Sequence, residues 1–140
     1  METVSSKVTV KWVEGTLMTG MDSRNRPIVI GGTSSHDLEW QGVKASDLLL
    51  LAAASCSTYD VITILVKQRE PVEKFDVICT GNQMKDAPYR FMSIHLHYII
   101  KGEIDETKLA RAIQLSEEKY CSVVATLKQG LEITSDYEII

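Results

Sequence analysis

The chain has 140 residues, a length that fits one domain with a core of its own. Its 44% hydrophobic and 24% charged residues are a globular balance and exclude disorder as the main state. With 15 basic against 19 acidic residues the net charge is -4, which gives no electrostatic footing for nucleic acid or for an anionic membrane surface.

Residues 1–6 lack the basic stretch and apolar run of a signal peptide. Three cysteines, an odd count with no CxxC pair, argue against a disulfide-stapled secreted fold. The expected compartment is the reducing cytoplasm.

In chain order, residues 7–13 alternate apolar and polar and predict a strand with Val8, Val10 and Trp12 on one face. A turn at Glu14 and Gly15 returns the chain as a second strand over 16–21. Residues 22–27, with Arg24 and Arg26 in them, read as a hairpin tip, and 28–30 as a short third strand closed by Gly31 and Gly32. Ser46 caps the next helix and Asp47 complements its positive end. This helix runs to about Arg69 and stops before Pro71.

Residues 48–66 are long and apolar enough to suggest a membrane span, but Asp60 sits near the middle with Ser55, Ser57, Thr58 and Thr63 around it. The reading is a buried helix, apolar all round over 48–54 and covered on every side, with a second subunit as part of the cover. Residues 74–80 predict a strand, and 90–100 the clearest one, with Met92, Ile94, Leu96, Tyr98 and Ile100 sharing a face. Residues 105–119 form an amphipathic helix with Leu109, Ala112, Ile113 and Ser116 on one stripe. A short helix follows Cys121 and ends near Leu127, and 131–139 close as a strand. Strands in groups rather than alternating with helices indicate an α+β fold with a mainly antiparallel sheet.

Chemistry rests on few residues. Cys56 lies among polar groups in an apolar helix and shares a face with Asp60, four residues on. The alternative is a thiol buried as a small hydrophobe. A carboxylate there raises the thiol pKa unless a cation neutralises it, and Arg24 or Arg26 is the candidate cation. Cys121 stands at a helix start, where backbone N–H groups would make it the more acidic thiol. Cys79 shares a strand face with Phe75 and Val77 and reads as core. His95 and His97 have a spacing compatible with metal ligation, yet no third ligand stands out, and they read as surface residues; His36 reads as a loop residue. No phosphate-binding glycine pattern, nucleophile elbow or zinc motif is present, so no cofactor is implied.

The segment GVKASDLLLLAAASCSTYDV, residues 42–61, resembles the cysteine-helix signature of the OsmC-like family, which includes osmotically inducible protein C and the organic hydroperoxide resistance proteins. EKYCSVVATL, residues 118–127, resembles its second cysteine motif, in the family's order and at about its distance. With the strand layout, the resemblance spans nearly the whole chain. It implies an intertwined homodimer with sheets packed around the long cysteine-bearing helices. It implies reduction of an organic hydroperoxide by Cys56 as the peroxidatic residue and Cys121 as the resolving one, reset by an external dithiol. The family's best-characterised peroxidases carry a glutamate ten residues before the first cysteine, which holds the activating arginine. Here that position is Ser46, with Asp47 one residue closer, and Ser122 stands where the family often has proline. A catalytically silent small-molecule binding protein of the same fold is therefore the alternative, and a metal site of Cys56, Cys121 and a histidine is a third.

Overall fold

In the computed structural model, which describes residues 1–32 and 41–140, the chain forms two compact units, Met1–Leu49 and Leu50–Ile140. His36 falls outside the described residues.

The first unit is a three-stranded antiparallel sheet of β1 (Thr9–Glu14), β2 (Leu17–Met21) and β3 (Pro27–Ile30), in that order. Asp22 builds the β2–β3 hairpin tip, because its Oδ1 accepts the backbone N–H groups of Arg24 and Arg26, each at 2.8 Å. Those two bonds, Arg26 first, hold its carboxyl below the ordinary value. Gly31 ends β3 at φ 76, and a Cβ there would run into the Thr16 carbonyl oxygen. All of β1 is exposed, Val10 at 58% and Trp12 at 72%.

The second unit holds nearly all of α1 (Asp47–Lys67), followed by β4 (Lys74–Gln83), β5 (Phe91–Lys101) and α2 (Glu106–Leu115). A π-helical turn over Ser116–Tyr120, α3 (Ser122–Leu127) and β6 (Glu132–Ile139) complete it. Its sheet has the order β4-β5-β6, with β4 antiparallel and β6 parallel to β5. The antiparallel expectation thus holds for three pairings, and the fourth is parallel because α2 and α3 carry the chain across before β6.

Strand period and helix period meet in one core. Ile94, Leu96, Tyr98 and Ile100 alternate inward from β5, and Leu109, Ala112, Ile113 and Ser116 are buried from the predicted stripe. Met92, expected on the same face as Ile94, is 48% exposed. The ladder passes from Asn82↔Ser93 to Gln83↔Phe91, so Met92 is the extra residue of a bulge. The start of α2 is fixed by Asp105, whose side chain accepts the Lys108 N–H at 3.0 Å. Glu70 accepts both the Asp105 N–H and the Lys108 ammonium, each at 2.9 Å.

By length and a mean hydropathy of 1.8, α1 would suffice to cross a membrane. Here Ala53, Ser57, Val61 and Leu65, spaced four apart, face the core. Within the single chain the other side is open: Leu51, Tyr59 and Val66 are 51%, 71% and 61% exposed. The helix ends at Lys67, two residues before Arg69, which takes φ 60 and turns the chain.

Leu65 is fully buried in the cluster that joins α1, β5, α2 and α3. Leu65→Ala should cost roughly 2–5 kcal/mol in urea unfolding, since the surrounding elements cannot all collapse into the space.

Candidate active site

Two thiols meet in the second unit. Cys56 lies in the middle of α1, half-buried, one turn before Asp60. Cys121 lies where the π-helical turn passes into α3, and the Ser116 carbonyl accepts its N–H at 2.8 Å across five residues. Its extended backbone, φ -77 and ψ 104, makes it the cap of α3, where Sγ accepts the Val124 N–H at 3.4 Å. Cys56 Sγ, Cys121 Sγ and a carboxylate oxygen of Asp60 all lie within 4.8 Å of one another. The third group beside the sulfurs, among the described residues, is thus Asp60 and not a histidine.

The expected acidity of Cys121 is reversed. Only 1% of it is exposed, and burial pushes its thiol from the ordinary 9.0 to about 11. The N–H of Val124 pulls the other way, and the neighbouring Cys56 thiol adds to the rise. A six-residue helix supplies too few aligned peptides to offset desolvation of the thiolate. Cys79 packs in the core as expected, and burial raises its thiol as well.

Behind the thiols runs a chain of hydroxyls. Ser116 Oγ donates to Asp60 Oδ2 at 3.0 Å, and Ser57 Oγ lies 3.1 Å from Ser116 Oγ and in contact with Tyr98 OH. Each hydroxyl has one proton. With that of Ser116 directed to Asp60, Ser57 donates to Ser116 and Tyr98 donates to Ser57. Ser57, Ser116 and Tyr98 are fully buried, and burial lifts the Tyr98 hydroxyl well above its ordinary range. The polar residues that looked out of place in α1 therefore have partners: Ser57 and Asp60 in this chain, and Ser55, Thr58 and Thr63 on carbonyls of the preceding turn.

Asp60 also lines a cleft of about 560 Å³ with Tyr59, Thr63, Ile64, Lys67, Gln68, Leu115 and Tyr120. Its lining mixes aliphatic and aromatic surface with one carboxylate and one ammonium.

Of the other residues singled out in the sequence, Arg24 and Arg26 lie exposed at the β2–β3 tip of the first unit, and Asp47 is exposed as the first residue of α1. None of the three makes an ion pair with a described residue of that unit. His95 and His97 do have a third partner, Asp136, which their spacing alone could not reveal because it arrives from β6. Tyr98 and Ser116 were legible as inward-facing residues but not as hydroxyl relays. The only signal was a hydroxyl placed on an otherwise apolar stripe.

Residues 35–136 match the family model described as OsmC-like protein. The chain is 36% identical over 132 residues to Protein YhfA of Escherichia coli strain K12, covering 94% of this chain and 96% of that protein. A hypothetical protein from Aquifex aeolicus VF5 superposes with a TM-score of 0.86 at 27% identity, covering 99% of this chain and 98% of that one. The organic hydroperoxide resistance protein OhrB of Bacillus subtilis shares the fold, with a TM-score of 0.64 at 14% identity over 96% of this chain and 98% of that one.

Because the folded Cys121 thiol keeps its proton up to about 11 while the unfolded thiol loses it near 9.0, the unfolded state binds fewer protons between these values. Stability should then fall as pH rises through that window. The difference between wild type and Cys121→Ser in urea midpoint, followed from neutral pH to pH 11, should widen in favour of the variant only there.

Proposed function

For a chain that belongs to the OsmC-like family and holds two thiols and a carboxylate in one cluster, we propose a thiol-dependent peroxidase that reduces organic hydroperoxides in the cytoplasm. The observation that carries this reading is the approach of Cys56 Sγ, Cys121 Sγ and an Asp60 oxygen to within 4.8 Å. All three cysteines are free, which suits a dithiol resting state.

Cys56 attacks the terminal peroxide oxygen as the thiolate. The O–O bond breaks, the alkoxide leaves and takes up the proton lost by the thiol, and Cys56 becomes a sulfenic acid. Asp60 stands where it can accept that proton and return it, and its Oδ2 accepts a hydrogen bond from Ser116. The Cys121 sulfur then attacks the sulfenic sulfur, water leaves and a disulfide forms. An external dithiol restores both thiols. The raised thiol of Cys121 supports this division of labour: a protonated, buried thiol is a poor first nucleophile but needs only to meet a sulfenic acid beside it. The cleft at Asp60 would seat the alkyl part of the substrate. The activating charge is assigned to Arg24 or Arg26, and Asp47, one residue from the position where the family's peroxidases carry the glutamate that holds such an arginine, is assigned as its carboxylate partner.

The same proposal includes a homodimer. Among the described residues of the first unit, β1 is exposed along its length and Ile30 is the one buried hydrophobic side chain, and α1 presents an apolar stripe of Leu51, Tyr59 and Val66. A second copy covers both. Leu51→Glu should shift the wild-type dimer to monomer in analytical ultracentrifugation.

Reduced protein mixed with an alkyl hydroperoxide should lose two thiols per chain. Cys56→Ser should lose none of the pair, and Cys121→Ser should accumulate a sulfenic acid trapped by dimedone. Arg24→Ala or Arg26→Ala should slow the first step when that guanidinium supplies the charge. Unchanged thiols at millimolar hydroperoxide would defeat the peroxidase reading and leave a small-molecule binding protein built around the cleft.

A further inference from the structure

A second cluster lies on the face of the β4-β5-β6 sheet turned away from the core. His95 and His97 project from β5, and the parallel register sets Asp136 of β6 opposite His97. Asp136 Oδ1 lies 2.7 Å from His95 Nε2 and 2.7 Å from His97 Nδ1. The opposite ring nitrogens also have oxygen partners: Thr134 Oγ1 lies 2.6 Å from His95 Nδ1, and Glu138 Oε1 lies 3.8 Å from His97 Nε2. Each imidazole thus turns one nitrogen to a shared carboxylate oxygen and the other to a hydroxyl or a second carboxylate. His95 is held as metal-binding imidazoles are, its far nitrogen fixed by the Thr134 oxygen, while Glu138 stands near the far nitrogen of His97 but beyond hydrogen-bond distance.

One donor atom from each of the three residues lies within 4.8 Å of the other two. Donors around a tetrahedral ion with bonds of about 2.0–2.2 Å stand roughly 3.3 Å apart, so each imidazole–carboxylate pair, now at 2.7 Å, needs to open by about half an ångström. Strand pairing holds two of the three backbones in register, and His95 and His97 are only partly exposed, so little side-chain order remains to be imposed. On β4 the residues paired with His97 and His95 are Ile78 and Thr80, which bring no competing cation.

We propose that His95, His97 and Asp136 bind one divalent ion of the late first-row metals, Zn²⁺ foremost, with water at the remaining position. Two imidazoles and one carboxylate suit that class, whereas Mg²⁺ and Ca²⁺ prefer an all-oxygen set. The site is separate from the thiol cluster, so its fate does not depend on peroxidase activity.

Metal-stripped full-length protein titrated with Zn²⁺ against a chromophoric chelator tests this. The wild type should bind one ion per chain, and a Cys56→Ser, Cys121→Ser double variant should bind it equally. His95→Ala and Asp136→Asn, with folding checked by circular dichroism, should lose affinity by about tenfold or more. A second measurement needs no variant: on adding Zn²⁺ to wild type, the imidazole NMR resonances of His95 and His97 should shift together and saturate at one equivalent. No binding, binding that survives both cluster substitutions, or binding that vanishes with the cysteines would overturn the proposal.

Discussion

Ser116 is the residue on which the thiol cluster depends. Its carbonyl closes the π-helical turn on the Cys121 N–H, and its hydroxyl reaches Asp60 on α1. One residue therefore sets where the second sulfur begins and ties that point to the helix carrying the first. It can do so because it sits at the end of the α2 stripe, fully buried, where a hydroxyl must find partners. The alternatives there are unfavourable: an unpartnered buried hydroxyl costs about 1–3 kcal/mol. Ser57 and Tyr98 extend the same constraint to β5, so the helix, the turn and the sheet share one polar network inside an apolar core.

Much of this is legible in the sequence. The alternation over 90–100 identified Ile94, Leu96, Tyr98 and Ile100 as inward, and a helical stripe identified Leu109, Ala112, Ile113 and Ser116. Both are local periodicities, and local pattern is what a sequence displays. The polar residues of α1 announced that the helix had business beyond packing. What could not be read were relations between distant segments. The direction of β6 depends on how the chain crosses after α2, and Asp136 becomes a partner of His95 and His97 only through that direction.

The acidity of Cys121 failed for a different reason. The sequence shows a helix start, which favours a thiolate, but not burial to 1% exposure, which opposes it more strongly. Two opposing effects acted on one atom, and only one of them has a sequence signature. The open side of α1 is similar: residues 48–54 are apolar all round, which tells of a need for cover but not of what covers it.

The sulfur of Cys121 is also the acceptor that begins α3, at 3.4 Å from the Val124 N–H. A change in its bonding is therefore a change in helix geometry. Drawing Sγ toward α1 takes the acceptor away from an N–H in a corner closed to water, and α3 must rotate or shed its first turn to keep that N–H satisfied. The turn beneath it is anchored at Ser116, so the motion has a fixed pivot. The bonding of one sulfur would then be written into the pose of one short helix.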